Sequence, residues 1–204
     1  MKPSDQFRKL TSRHYLYNIT SIQNIPSIME LGILCFNDVK QIEHISIAMD
    51  NVQGRRNTTI LPNGEPLHSY ANLYFDYNNA MLYKRKDRAE EICILALSSE
   101  VLDLDNCVIA DRNASTAIVK FYSSDEGLQY LDYARIYAQY WNHPDDPFET
   151  RNHRAIKCAE VLIPHCIPYY FVLGAYVVSV SAKNKLEEVG FDKKIIVKPK
   201  AFYR

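Results

Sequence analysis

The stretch Arg154-Ala-Ile-Lys-Cys-Ala-Glu160-Val-Leu-Ile163 places one carboxylate in what reads as a buried strand. Residues 161–163 are strand formers, and Pro164 ends the run. We therefore predict that Glu160 lies at the mouth of a strand rather than on an exposed helix face. A charged residue in that position is either a paired charge at the rim of the sheet or a functional group.

The composition is that of an ordinary folded chain without net charge. The chain has 204 residues with 47% apolar content, and 24 Lys and Arg balance 24 Asp and Glu. A chain of this length can bury a sizeable core, and residues 1–204 are most simply one domain. Because the charge balance gives no overall attraction for nucleic acid, an anionic ligand must be held by a local patch.

Cysteine and histidine usage indicates neither disulfides nor a metal site. The five cysteines are odd in number and form no CxxC pair, so we interpret them as reduced core residues of a cytosolic protein. The six histidines lack the spacing of metal ligands. No stretch approaches the roughly 18 apolar residues of a membrane span, and the polar start lacks a signal-peptide core. These observations predict a cytoplasmic protein with no metal and no membrane attachment.

The first candidate site lies where a strand meets a helix near the start of the chain. Residues 15–19 alternate as a short strand, and the helix that follows ends at Gly32. Asn18, Thr20 and Asn24 gather at the start of that helix. Such polar side chains suit a bound phosphate or ribose, and they are equally typical of plain helix capping.

Two adjacent arginines form the second candidate site. Apolar periodicity fades over residues 36–66, which predicts a long irregular loop that carries Arg55 and Arg56. Guanidinium groups offer forked donors to a pyrophosphate or a carboxylate. A solvated charge pair is the competing interpretation.

A third candidate site mixes aromatic and basic residues after a predicted strand at 70–76. Aromatic rings stack on bases, and Lys or Arg neutralise phosphates, so this mixture suits single-stranded nucleic acid. A solvated turn explains such a cluster equally well. The basic residues of this patch are Lys84, Arg85, Lys86 and Arg88.

The remaining pattern predicts an α+β fold, because strands outnumber helices and do not alternate with them regularly. The polar segment 142–151 is predicted to be a loop that shapes what Glu160 meets. The other predicted elements are strands at 92–97, 108–110, 170–181 and 194–197 and helices at 126–141 and 182–189.

Four blocks of the chain, taken in order, resemble the DarT family of DNA ADP-ribosyltransferase toxins. The blocks are residues 17–33 (YNITSIQNIPSIMELGI), 46–56 with the arginine pair, 74–83 with Ala80-Met-Leu-Tyr83, and 159–163 with Glu160. The resemblance spans most of the chain. It implies an ADP-ribosyltransferase fold, with split central β-sheets, flanking helices and a cleft for NAD between the sheets.

The resemblance also implies an activity: transfer of ADP-ribose from NAD, the co-substrate, onto a base of single-stranded DNA. A macrodomain antitoxin that removes ADP-ribose is the expected partner. Two alternatives stay open at this point. One is an ADP-ribosyltransferase that acts on RNA or protein, and the other is a catalytically weak nucleic-acid-binding relative.

Carried over residue by residue, the resemblance gives Glu160 the role of stabilising the cation that forms when the nicotinamide bond breaks. Arg55 or Arg56 would contact the NAD phosphates or the reacting centre. The nicotinamide-side pocket would be lined by Asn18, Thr20 and Asn24 and walled by Tyr74, Met81 and Tyr83. Single-stranded DNA would be held by Lys84, Arg85, Lys86, Arg88, Arg151 and Arg154.

The chain departs from the family pattern in two places. Asn18 and Ser21 stand where the family has two histidines, and Asn78-Asn79-Ala80 stands where it has arginine, serine and proline. These departures concern how NAD is oriented and which base is modified.

Overall fold

The structure is a computed structural model that describes residues 1–203, except for the side chains of Asp50 and Asn51. The strands are β1 (Tyr15–Ser21), β2 (Ile33–Leu34), β3 (Tyr70–Tyr74), β4 (Ile92–Ser98), β5 (Val108–Ala110), β6 (Phe121–Ser123), β7 (Glu160–Pro164), β8 (Cys166–Ile167), β9 (Val172–Val177) and β10 (Lys194–Val197). The α-helices are α1 (Pro3–Thr11), α2 (Ile25–Leu31), α3 (Phe36–Val39), α4 (Asp50–Asn57), α5 (Ala80–Tyr83), α6 (Ser124–Gly127), α7 (Tyr133–Ile136), α8 (Pro147–Ile156) and α9 (Val180–Glu188). Short 3₁₀ turns lie at Ile22–Asn24, Leu67–Ser69, Lys86–Glu91, Ser99–Asp103, Leu128–Tyr130, Tyr169–Phe171 and Pro199–Ala201.

The main sheet has eight strands in the order β10-β9-β4-β1-β3-β7-β5-β6, and β2 and β8 form a separate pair. Seven residue pairs join β1 to β4, and five join β3 to β7. Between β1 and β3, by contrast, the described residues form one registered pair, Tyr17 opposite Tyr74. The sheet is therefore split into two halves at this seam, and the predicted α+β architecture is confirmed.

Strand β7 carries Glu160 into the middle of one half-sheet. Glu160 pairs with Tyr74 of β3 on one side and with Ala110 of β5 on the other. Residues 160–163 are all buried, so the predicted strand and its buried carboxylate are present. A carboxylate in a strand that is paired on both sides requires hydrogen-bond partners. The free energy of burying it without them exceeds what the packing of one residue contributes to stability.

The approach to β7 differs from the prediction. Residues 147–156 form helix α8, whereas the sequence predicts a loop at 142–151. Asp146 caps the helix by accepting from the Glu149 N–H at 2.8 Å, and Pro147 occupies the first turn. Both are ordinary helix-start signals, and they outweigh the turn-like composition of the segment.

Two further element predictions need correction. The arginine pair lies on α4, whereas the sequence predicts a loop. The helix was missed because it has no apolar stripe and therefore gives no periodic signal in the sequence. The continuous helix predicted at 126–141 is broken into α6, a 3₁₀ turn and α7. Asp132 starts α7 afresh by accepting from the Arg135 N–H at 3.0 Å. The apolar residues of that stretch still face the core: Leu128, Leu131, Ile136 and Trp141 are buried.

The strand–helix unit at the start of the chain agrees with the prediction. The Ser21 side chain accepts from the Gln23 N–H, and Gly32 ends α2 with φ of 82°. A Cβ at Gly32 would lie 2.6 Å from Cys166 Sγ and from the Ile167 carbonyl oxygen, so β8 approaches too closely for a side chain.

All five cysteines are free, and four of them are buried. Among residues 1–203, no helix combines the length and the apolarity needed to cross a membrane.

Candidate active site

A cleft of two connected cavities opens at the seam between β1 and β3. The inner chamber has a volume of about 190 Å³ and the outer chamber about 360 Å³. Both chambers are bordered by Asn18 of β1, Asn72 of β3 and Arg56 of α4. Together they have the size of a small-molecule site, placed where the two half-sheets part.

The buried carboxylate lies directly behind one wall of this cleft. Glu160 is fully buried, and Arg56 Nη1 donates to its two oxygens at 2.9 and 3.2 Å. The backbone N–H of Ala114 donates to Glu160 Oε1 at 2.9 Å. Three charge-assisted hydrogen bonds therefore fix the carboxylate in one orientation.

Of the two adjacent arginines, the structure brings Arg56 and not Arg55 to Glu160. Arg56 is 9% exposed and borders both chambers, whereas Arg55 is exposed on the outer face of α4. Successive residues on a helix point about 100° apart, so one of an adjacent pair faces the cleft when the other faces solvent. Arg56 stands between the Glu160 carboxylate and the space of the cleft.

The three polar residues predicted to line the pocket all border the inner chamber, but their hydrogen bonds differ. Asn18 donates across the seam to the Asn72 carbonyl oxygen at 3.2 Å. Asn24 donates to Thr20 Oγ1 at 3.2 Å and exchanges two bonds with the backbone of Ile45, at 2.8 and 2.9 Å. Asn24 thus anchors the segment after α3 instead of capping α2, which has no side-chain cap.

Two of the three predicted wall residues line the outer chamber. Tyr74 and Met81 border it, and burial raises the pKa of the Tyr74 hydroxyl far above its usual range, with the Glu160 carboxylate adding to the effect. The prediction that Tyr83 belongs to this wall is wrong, because Tyr83 borders a different cavity with Trp141. Met81 and Tyr83 are two residues apart on α5, and residues at that spacing point to opposite sides of a helix.

The predicted basic patch is divided by the fold. Lys84 and Arg85 border the outer chamber, and so does Arg154 from α8. Arg88 lies on the surface, where it pairs with Glu91 at 3.0 Å, and Arg151 is exposed on α8. The Lys86 ammonium lies 5.3 Å from the centre of the Tyr83 ring, outside the cleft.

Comparison with known proteins identifies this arrangement. A sequence profile of the family described as ssDNA thymidine ADP-ribosyltransferase, DarT, matches residues 17–203. The chain belongs to the DarT family. A DNA ADP-ribosyl transferase from Thermus sp. (strain 2.9) is 30% identical over 168 residues, which cover 77% of this chain and 78% of the relative.

A second relative is longer. The DNA ADP-ribosyl transferase-DNA ADP-ribosyl glycohydrolase fusion protein of Thermosipho africanus is 27% identical over 190 residues, or 90% of this chain and 47% of the fusion protein. This chain therefore spans about half the length of that relative. The structure of Thermus sp. 2.9 DarT in complex with ADP-ribosylated ssDNA superposes with a TM-score of 0.81 at 26% identity, covering 94% of this chain and 97% of that one. The fold is the ADP-ribosyltransferase fold of the DarT family.

The departures from the DarT pattern have distinct positions. Asn18 borders both chambers, whereas Ser21 is buried at the end of β1. Asn79 is fully buried and caps α5 by accepting from the N–H groups of Met81 and Leu82 at 3.0 and 3.1 Å. Of the replaced residues, Asn18 borders both chambers and Ala80 borders the outer chamber, so these two can touch a ligand in the cleft.

Sequence reasoning missed several residues of the DarT cleft. His68 Nε2 and Gln53 Oε1 lie 3.0 Å apart on its floor, and burial lowers the pKa of His68, with Arg56 adding to the effect. Asn113 borders the outer chamber, and its Oδ1 accepts from the Ser115 N–H at 2.9 Å, which forms the turn that presents the Ala114 N–H to Glu160. These contacts join segments far apart in sequence and leave no periodic signal.

Two groups of side chains bring possible metal ligands within 4.8 Å of one another: Cys35, Asp38 and His165, and His143, Glu149 and His153. In the second group His143 Nε2 and His153 Nδ1 are 2.9 Å apart, and Glu149 is paired with Arg135 at 2.8 Å. The sequence spacing of the histidines did not predict the contact between His143 and His153. None of these six residues borders the inner or the outer chamber.

Proposed function

We propose that this chain is an NAD-dependent mono-ADP-ribosyltransferase that modifies a thymine base of single-stranded DNA. The observation that carries the proposal is the Glu160 carboxylate, buried at a split-sheet cleft in a DarT fold and held by Arg56 and the Ala114 N–H. Residues 17–203, which the family profile matches and which include strands from both half-sheets, act as one catalytic domain.

Transfer from NAD breaks the bond between the ribose C1′ and the nicotinamide nitrogen, and nicotinamide leaves with the bonding electrons. Positive charge develops on the ribose, and a fixed carboxylate beside it lowers the energy of that state. A nitrogen of the base then bonds to C1′ and loses its proton. Glu160 stabilises the cation and accepts this proton, which are two roles that one carboxylate can fill in sequence.

Arg56 separates Glu160 from the cleft, so its side chain shifts when the carboxylate meets the ribose. Within the side chains that the structure describes, Nη1 makes the hydrogen bonds of the guanidinium, to Glu160 alone. The side chain of Arg56 borders both chambers, so its remaining N–H groups are available to a ligand there. They are suited to a diphosphate or to the carbonyl oxygen of a base, because a planar fork of donors matches both.

The basic residues at the mouth of the outer chamber provide the electrostatic contacts for the single strand. Lys84, directly after α5, and Arg154 of α8 both border the chamber. Replacing both by Gln should weaken DNA binding at low salt and reduce the slope of log affinity against log salt by roughly 0.7 for each phosphate that is no longer neutralised. Arg88→Gln is the matched control, because Arg88 is paired with Glu91 on the surface. An unchanged slope in the double variant would place the strand elsewhere.

The partner proposed for this chain is an antitoxin that removes ADP-ribose from DNA. The fusion protein of Thermosipho africanus joins a transferase to a DNA ADP-ribosyl glycohydrolase, which supports a functional pair. That the antitoxin is a macrodomain, and that the pair acts in the cytoplasm, stay predictions from the sequence.

The decisive experiment replaces Glu160 by Gln and measures modification of oligonucleotides by mass spectrometry in the presence of NAD. The rate should fall by on the order of 10² to 10³, because one preorganised electrostatic group is lost. NAD affinity should change little, since the charge acts on a cation that forms only near the transition state. RNA and a protein acceptor are tested in parallel with the unaltered chain. Modification of RNA or protein instead of DNA, or full activity of Glu160→Gln, would refute the proposal.

A further inference from the structure

A third cavity, of about 380 Å³, lies across α5 from the two chambers of the cleft. We call it the aromatic cavity, because half of its bordering residues are aromatic. Its bordering residues include Tyr77, Tyr83, Tyr140, Trp141, Lys200 and Tyr203. It is as large as the outer chamber, and the residues that hold NAD in the proposed reaction do not border it.

We propose that the aromatic cavity binds an unpaired nucleobase of the same single strand, a few nucleotides from the base that is modified. This inference rests on the proposed function, and it adds a recognition site for the acceptor strand. Lys200 and Lys86 provide the adjoining phosphate contacts.

The rings have the exposure and the arrangement that base stacking needs. Tyr140 is 77% exposed and Tyr83 is 44% exposed, although large apolar rings of a folded chain are normally covered. Behind them, Tyr83, Trp141 and Tyr203 contact one another edge to face, with ring centres 5.2 to 6.3 Å apart. This packing fixes the inner walls of the cavity, so that a base entering against Tyr140 meets preformed surfaces.

The ionic groups around the rings favour an anionic strand. Lys200 borders the cavity, and the Lys86 ammonium lies 5.3 Å from the centre of the Tyr83 ring. Sites that bind single-stranded nucleic acid without sequence preference combine aromatic faces, on which bases stack, with basic residues that contact the phosphates. The hydroxyl of Tyr203 donates to Asn78 Oδ1, and Asn78 Nδ2 donates to the Gln139 carbonyl oxygen at 3.4 Å, so the polar edge of the cavity is held in place.

The aromatic cavity and the cleft are close enough for one strand to reach both. Met81 of α5 borders the outer chamber and Tyr83 of the same helical turn borders the aromatic cavity, so the two spaces lie about one helix diameter apart, roughly 10–12 Å. Lys84, the next residue, borders the outer chamber again. A strand that leaves the acceptor site across α5 therefore passes Lys84 and Lys86 before it meets Tyr140.

Trp141 gives a direct probe, because it is the single tryptophan of the chain and borders the aromatic cavity. Its fluorescence is titrated with oligothymidylate of about eight nucleotides and with an abasic strand of the same length. The base-bearing strand should quench the fluorescence and the abasic strand should not. The test variant is Tyr140→Ala, with Tyr130→Ala as control, since Tyr130 is 59% exposed beside Tyr122 instead.

Tyr140→Ala should weaken binding of the oligothymidylate by about 5- to 150-fold, which corresponds to the loss of one stacked base, roughly 1–3 kcal/mol. The KM for the oligonucleotide should rise in the modification assay, while the KM for NAD and the rate at saturating DNA stay unchanged. Lys200→Gln should reduce the salt dependence without changing the quenching at saturation. Tyr130→Ala should match the unaltered chain in every measurement.

Equal quenching by the abasic strand, or equal affinity of Tyr140→Ala and the unaltered chain, would overturn the assignment of the cavity. Either result together with normal DNA modification would refute the cavity site and leave the proposed function standing. Base-dependent quenching that Tyr140→Ala abolishes, in a chain that modifies no DNA, would refute the proposed function alone. Capture of a protein partner by Tyr140 with no response to DNA would also overturn the nucleobase assignment.

Discussion

Two buried ion pairs lie three residues apart on the same stretch of chain, and they are satisfied in different ways. Lys157 Nζ donates to Asp76 Oδ2 at 2.9 Å and to the carbonyl oxygens of Ile136 and Ala138 at 2.7 and 2.8 Å. All three ammonium protons are therefore used by the protein. Arg56, in contrast, donates to Glu160 through one nitrogen, and its side chain borders the cleft.

The difference distinguishes a pair that holds the fold from a pair that can act on a ligand. The saturated pair ties the residue after α8 to the segment at 136–138 and to the segment after β3, and neither Lys157 nor Asp76 is among the residues that border the two chambers. In the unsaturated pair, Arg56 borders the cleft. Arg56 and Glu160 can therefore give up a hydrogen bond to each other and form one to a substrate. Burial alone does not separate the two cases, since Lys157 and Glu160 are both fully buried.

The largest expected effect comes from breaking the saturated pair. Lys157→Met leaves the Asp76 carboxylate and two carbonyl groups buried without their donor, which should lower the free energy of unfolding by about 3–5 kcal/mol. Chemical denaturation measures this change. The matched control is Lys183→Met, because Lys183 forms an exposed pair with Glu187 at 3.5 Å on α9. That control should change stability by less than about 0.5 kcal/mol, and similar losses in both variants would contradict the distinction.

A smaller effect is expected at the unsaturated pair, and it should appear in activity more than in stability. Arg56→Lys keeps the charge but loses the planar fork, and the rate of DNA modification should fall by on the order of 10². Arg55→Lys, one position away and exposed, should leave the rate unchanged. The two rates and the two melting temperatures are measured side by side. Equal rates would mean that the contact of Arg56 with Glu160 has no part in turnover.

The smallest effect is expected at Cys158, which lies between the two pairs and borders the outer chamber. The pKa of its thiol is raised to about 11, mainly by burial and also by the Glu160 carboxylate, while backbone hydrogen bonds and Lys157 act in the opposite direction. Since the thiolate is the reactive form, alkylation of Cys158 should accelerate about tenfold per pH unit below pH 11. Glu160→Gln should speed this alkylation by less than about tenfold at each pH, as followed by peptide mass spectrometry. Slower alkylation in that variant would contradict the sign of the Glu160 contribution.

The position of Glu160 at the mouth of a buried strand could be predicted, because this residue directly precedes a run of strand formers, which is a local signal. The sequence left two candidates, Arg55 and Arg56, for the arginine that meets Glu160. Choosing Arg56 required the orientation of α4, a helix without an apolar stripe. Tyr83 was misassigned because a resemblance between blocks does not say which face of a one-turn helix a residue occupies. Lys157 lies in the same stretch as Glu160, but its partner Asp76 is 81 residues away and no local pattern joins them.

The seam between β1 and β3 gives the chain a mechanical property. The ladders on either side, of seven and five residue pairs, make each half-sheet stiff against shear. Across the seam, the described strand pairing and side-chain hydrogen bonding are the Tyr17–Tyr74 pair and the bond from Asn18 to the Asn72 carbonyl, and one hydrophobic core packs against both halves. A small rotation of one half against the other therefore strains few bonds and leaves both ladders intact. We therefore expect any adjustment of the cleft to a ligand to be confined to the seam, while each half-sheet keeps its shape.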